Sequence, residues 1–345
     1  MAAPVLSTLT SIALVAALLG SGCAQMPEGT LAIARQGSFF VGGRTVTLDC
    51  VPPARTPAGL VLEQNGSFVV EPTYVAFQVP VARRAPHPLV MVHGGGHTGA
   101  VFESTPDGRE GWATQFLRWG HAVHVVDLVE RGRAGFARVP EVWKDAPVYL
   151  SRREAWETFR LGPAKSWDED PAARRAHPGS QFPAAAFDDY AKQLVPRWLP
   201  HNALLTNGLE QVVERVGPSV LLTHSQSGPF GWEVAKRRPT LVKGIVAIEP
   251  SRATLAAGDL PKLAGIPVLI VWGDFVPTSP LWSRFAADSE KFAADLRAAG
   301  ADVTVMRLPE HGIAGNTHLP MLDRNSAAVA RAIQDWMVAK KLAGG

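Results

Sequence analysis

The sequence predicts an α/β protein with a mostly parallel central sheet flanked by helices. Short, nearly continuous apolar runs recur along the chain, as in strands buried on both faces of a parallel sheet. Helical stretches stand between several of those runs, and strand–helix alternation is the mark of this class. At 345 residues the chain is long enough for one large domain of this kind, and its 46% hydrophobic and 19% charged residues are ordinary for a globular protein.

The elements follow in order. Residues 1–24 read as an export signal: an apolar run from Ile12 to Leu19, then small residues, too short to span a membrane comfortably. The stretch "LLGSGC" resembles a lipoprotein box with Cys23 as the lipidated residue, so the expected location is periplasmic or secreted, with membrane attachment only through Cys23. Cys50 is the other cysteine, and neither a disulfide scaffold nor a metal-binding spacing follows from two. Residues 25–345 form one domain. It opens with four short runs, "GSFFVGG", "TVTLDC", "SFVVEP" and "YVAFQVP", which predict a β-meander.

The buried strands are expected within 87–96, 121–129, 218–224, 243–250, 266–274 and 302–310. Helices are expected over 229–238, 284–299 and 324–341, the last with Ala327, Val329, Ala330, Ile333, Trp336 and Met337 on one stripe. Residues 132 to about 203 are far too long for one crossover and read as an inserted lid over the C-terminal edge of the sheet. The formal charge of +3 is scattered, with no basic stripe among aromatics, so nucleic acid is not an expected partner.

The chemistry gathers at a few places. In "LLTHSQSGPFGW", 221–232, a strand runs into a helix through a serine-rich turn. A serine on such a turn needs small flanking residues, because the backbone is strained and crowded there. Ser225 falls at the turn itself. Ser227 would leave two extra residues after the strand, and Thr223 is bulkier than the Gly or Ala usual two places before the serine. "VHGGGHTG", 92–99, follows an earlier strand, and its glycines expose backbone N–H groups suited to hold an oxyanion. The donors would be Gly95 or Gly96, with Gln226 after the serine.

A serine also needs a base and an acid to orient it. His224 is a poor base, since neighbouring side chains diverge on a strand. His318, in a Gly-Asn-rich loop, is placed better than His311 at the end of the last strand. Two acids remain open on position: Asp274, the commoner arrangement, and Glu249.

Strand-HGGG, serine turn and late histidine resemble the α/β-hydrolase superfamily over roughly residues 85–340. "TPDGREGW", "VERGRAG", "AIEP" and "GNTHLPMLDRNS" further resemble a small group of bacterial serine carboxylesterases with the lid before the nucleophile elbow. That resemblance implies a Ser225–His318–Glu249 triad. The chain departs from it at Gly95 and Gly96, where a relative carries two cysteines, a change that keeps the backbone donors. The expected substrate is a small-molecule ester, with no metal or organic cofactor. A lactone, amide or polyester, or a catalytically silent binding protein of the same fold, are the rival readings. Oligomeric state is not legible.

Overall fold

The structure, a computed structural model, describes residues 29–344. The expected export signal, 1–24, and Cys23 lie outside the described residues. Cys50 is exposed and unpaired.

Eight strands form one sheet. They are β1 (Ile33–Leu48), β2 (Gly66–Pro80), β3 (Leu89–Val92), β4 (Val123–Asp127), β5 (Ser219–His224), β6 (Val242–Ile248), β7 (Val268–Trp272) and β8 (Val303–Arg307). Their spatial order is β1-β2-β4-β3-β5-β6-β7-β8. β1 and β2 pair antiparallel, and β2 pairs antiparallel with β4; from β4 to β8 every neighbouring pair is parallel. Every residue of β3, β5 and β7 is buried, which explains why these strands read as unbroken apolar runs rather than as alternating ones.

The opening differs from the predicted meander. The four short runs are halves of only two strands, β1 and β2, each bent where Gly42 faces Pro72. Gly42 and Gly43 take φ of 69° and 84°, so the glycines bend β1 without ending it.

Six helices matter here: α1 (Trp112–Arg118), α2 (Arg152–Thr158), α3 (Asn202–Val216), α4 (Gly228–Arg237), α5 (Pro280–Ala298) and α6 (Ser326–Ala339). On α6 the buried residues are Ser326, Val329, Ala330, Ile333, Gln334, Trp336 and Met337. Ala327 is exposed, because Ser326 holds the inner position of the first turn, where its carbonyl accepts from Trp112 Nε1 at 3.0 Å. Between β4 and α3 the chain is mostly irregular. Helix α2 lies in that stretch, started by a capping box in which Ser151 and Glu154 exchange hydrogen bonds. Trp156, Trp167, Phe182, Phe187 and Tyr190 pack their rings on one another and give the stretch its own small core. No helix among the described residues is long and apolar enough to cross a membrane.

Candidate active site

Ser225 follows β5 directly, with φ of 53°. A residue with a Cβ is held in that left-handed region at a cost on the order of 1–3 kcal/mol. Two ties hold it. The Ser251 N–H donates to the Ser225 carbonyl at 3.0 Å. The Ser227 hydroxyl donates between the carbonyls of Val92, at 2.9 Å, and His224, at 3.0 Å, and accepts from the His224 N–H at 2.9 Å. Ser227 is therefore a fully buried brace between the serine turn and the end of β3, with no route to a substrate.

Thr223 fits because the next helix makes room. A Cβ on Gly231 of α4 would lie 3.1 Å from Thr223 Cγ2, and one on Gly228 would lie 2.5 Å from Pro250 Cβ. The space usually saved by a small residue before the serine is here saved by Gly231 after it, while Gly228 admits Pro250 against the helix start.

Ser225 opens into a pocket of about 240 Å³ lined also by Gly95, Leu150, Phe159, Gln226 and Trp282. Gln226 stands in the first turn of a helix, so its N–H has no intrahelical acceptor. Gly95 borders the pocket, whereas Gly96, at φ 75°, turns the loop and gives its carbonyl to the Val195 N–H at 2.9 Å. Gly94 must be glycine: a Cβ on it would meet His224 Nδ1 at 2.7 Å and Ser225 Cβ at 3.0 Å. Arg131 supports it from below. Its guanidinium donates to the Gly94 and His97 carbonyls at 3.4 Å each and to Gln226 Oε1 at 3.2 Å. Glu130 balances that buried charge at 3.1 Å. A larger hollow of about 550 Å³ against β1 and β2 holds none of these residues.

His318 and Glu249 meet across the top of the sheet. Glu249 follows β6 with φ of 44°, and its carboxylate is fully buried. His318 Nδ1 lies 2.6 Å from Glu249 Oε2, and neither side chain is exposed. Burial alone would raise the Glu249 pKa; the Arg160 charge and the His318 hydrogen bond outweigh it and hold the carboxyl at about 2. The carboxylate is thus ionised, so Nδ1 carries the proton and Nε2 offers its lone pair. Nε2 is buried and has no hydrogen-bond partner among the described residues. Burial lowers the His318 pKa, and the hydrogen bond and charge of Glu249 work against that.

The His318 ring lies between Trp282, with centroids 3.7 Å apart, and Phe159, at 5.4 Å. Its backbone N–H donates to the Phe159 carbonyl at 3.0 Å. Beside Phe159, Arg160 reaches Glu249 with both terminal nitrogens, at 2.8 and 2.6 Å, and gives its Nε–H to the Asp274 carbonyl at 3.0 Å. The Gly273 N–H completes the carboxylate at 2.8 Å.

The other predicted residues take different places. His224 lies under the histidine, 2.8 Å from the His318 carbonyl through Nε2. His311 is exposed in the turn after β8. Asp274 holds the loop rather than the ring: its carboxylate accepts from the N–H groups of Gly315 and Asn316. Asp323 closes the same loop by accepting from Thr317 N and Oγ1 at 2.8 and 2.9 Å. Burial raises its pKa to about 7. Sequence reasoning missed Arg160 and Arg131. Arg131 stands in "VERGRAG", a stretch quoted only for resemblance, and Arg160 belongs to no motif.

Comparison with known proteins agrees with this architecture. A solved structure described as a novel bacterial esterase superposes with a TM-score of 0.81 at 33% identity, over 91% of this chain and 98% of that one. A probable secreted lipase of a fungal species is 28% identical over 76% of this chain and 85% of its own length. No protein-family model matches the chain. The chain belongs to the α/β-hydrolase superfamily, and within it groups with ester hydrolases.

Proposed function

We propose that this carboxylic ester hydrolase works through an acyl-enzyme on Ser225, with His318 as base and Glu249 as the acid that orients it. The observation that carries the reading is the 2.6 Å bond between His318 Nδ1 and an ionised Glu249, which leaves Nε2 with its lone pair and no partner among the described residues, together with a Ser225 held at positive φ after β5. Nε2 takes the Ser225 proton as Oγ attacks the ester carbonyl. The backbone N–H groups of Gln226 and Gly95 receive the developing oxyanion, each such donor typically worth ~2.7–4 kcal/mol. His318, now charged beside Glu249, passes its proton to the leaving alcohol. Water activated by the same nitrogen then frees the acid and restores Ser225. The stretch 132–203 acts as a fixed cover over this site. The leader-like residues 1–24 and the secreted fungal relative support export.

The test is a panel of p-nitrophenyl esters with the chain from residue 25 onward, beside Ser225→Ala and Ser227→Ala, together with labelling by a fluorophosphonate probe. Turnover and labelling should be lost in Ser225→Ala only. Wild-type rates in Ser225→Ala, or no labelling of the wild type, would remove the assignment.

A further inference from the structure

We propose that the ester this site prefers carries a second, negatively charged group, a carboxylate or phosphate held by the arginines of the groove beside the pocket. The inference rests on the ester-hydrolase reading of Ser225 and extends it to the substrate.

The pocket over Ser225 continues into a groove of about 520 Å³, the two sharing Arg197, Gln226, Ser251 and Phe285 in their walls. The groove is strongly cationic. Arg197, Arg237, Arg252 and Arg284 line it, against a single acid, Glu233. Glu233 is already engaged by Lys236, at 2.7 Å, and by Arg237, at 3.9 Å, and Arg237 also pairs with Glu210 at 2.9 Å.

The other three arginines are left over. Among the described residues, Arg197, Arg252 and Arg284 form no side-chain ion pair or hydrogen bond; Arg284 rests over the Phe285 ring, 5.1 Å from its centroid. Elsewhere among the described residues, arginines that are not fully exposed reach carboxylates, as Arg131, Arg160 and Arg174 do, while those without such a pair, such as Arg55, Arg83 and Arg153, stand exposed to water. Arg197 is the most telling of the three. It is half-buried, and it lies so close over Gly95 that a Cβ there would strike its guanidinium. It therefore sits beside the loop that is to receive the oxyanion and faces both the pocket and the groove. Burial works against its charge and the nearby Glu130 favours it, but Glu130 is already bonded to Arg131 and His201 and gives the guanidinium no hydrogen bond; a bound anion would supply those bonds through paired N–H donors.

Two matched pairs of esters test this and locate the charge. The mono-p-nitrophenyl ester of adipic acid is compared with p-nitrophenyl hexanoate, which puts the charge on the acyl side. 4-Acetoxybenzoate is compared with its methyl ester, which puts it on the leaving group. In at least one pair the anionic member should show a kcat/KM about tenfold higher or more. That ratio should fall towards one in Arg197→Gln, in the double variant Arg252→Gln/Arg284→Gln, and in about 1 M salt, where the screening length is roughly 3 Å. The double variant lies on the surface and keeps the test open if Arg197→Gln does not fold. Neutral esters matching or beating their anionic partners in both pairs would overturn the inference, as would a preference that survives both variants. Hydrolysis of the hexanoate by the wild type and not by Ser225→Ala checks the ester reading by itself. If none of the four compounds is hydrolysed, that reading fails and this one falls with it.

Discussion

Arg160 and Glu249, 89 positions apart in the chain, share two hydrogen bonds of 2.8 and 2.6 Å with both side chains out of solvent. The arginine comes from the irregular stretch between β4 and α3, the glutamate from the end of β6. Replacing one partner of such a pair strands the other charge, at a cost of about 3–5 kcal/mol. Arg160→Met should therefore lower the melting temperature strongly and cut kcat more than it changes KM, since Glu249 loses what orients it. Arg160→Lys should restore part of both. In Arg160→Met/Glu249→Gln, where no charge is stranded, stability should recover while turnover does not. Thermal melts and ester kinetics on the three variants check the claim; equal kcat in Arg160→Met and wild type would refute a positioning role.

The rate should depend on pH through His318. The base works only when neutral. Burial lowers its pKa from the ordinary 6.5, and Glu249 only partly offsets this. The rising limb of kcat/KM should therefore have its midpoint below pH 6.5, with activity lost as pH falls through it and level above. In Glu249→Gln both raising influences disappear, so the residual limb should move further towards acid while kcat falls by up to about 10⁴. A profile of kcat/KM from acid to neutral pH decides, and a limb centred above 6.5 would count against His318 as the base.

The two serines of the turn should separate cleanly. Ser225→Ala should lose turnover yet melt near the wild type or above it, because alanine removes a polar group at a strained position. Ser227→Ala should keep Oγ of Ser225 but lose the brace to Val92 and His224, at about 1 kcal/mol for each hydrogen bond lost. Melting curves beside p-nitrophenyl ester rates give both readouts.

Thr223 and Gly231 should be coupled. Alanine is favoured over glycine within a helix by about 0.8–1 kcal/mol, but at Gly231 its methyl would crowd Thr223 Cγ2 at 3.1 Å. Gly231→Ala should thus gain little or lose stability in the wild type and gain in the Thr223→Ala background. A double-mutant cycle by chemical denaturation measures the difference; strict additivity would mean the contact carries no strain.

Much of this molecule can be read before it is folded. The runs that became β3, β5 and β7 are legible because full burial leaves no polar alternation in them, and β4, β6 and β8 because their half-buried positions still leave mostly apolar runs. Ser225 and the glycines after β3 are legible because a strained turn and an exposed backbone each demand residue types in fixed order. The opening was misread since Gly42 and Pro72 usually punctuate strands, whereas here they face each other at one shared bend. The acid is ambiguous in sequence because Glu249 and Asp274 both follow parallel strands; in the structure Glu249 meets the His318 ring, while Asp274 bonds the backbone of the loop before that histidine. Arg160 was illegible for a different reason. Its role depends on where an irregular stretch of chain lies in space, and no periodicity encodes that.

The serine turn also bears on how such proteins are found. A search for Gly-x-Ser-x-Gly passes over Thr223-His224-Ser225-Gln226-Ser227, although the backbone it describes is present. The small residues stand instead at Gly228 and Gly231, on the far side of Ser225, where the helix rather than the strand yields the space, Gly231 to Thr223 and Gly228 to Pro250. A pattern that instead asks for a strand, a serine at its end, and glycines three and six places later would retrieve chains that solve the same crowding from the opposite side. Distant members of the superfamily that lack the familiar pentapeptide become recognisable by that arrangement.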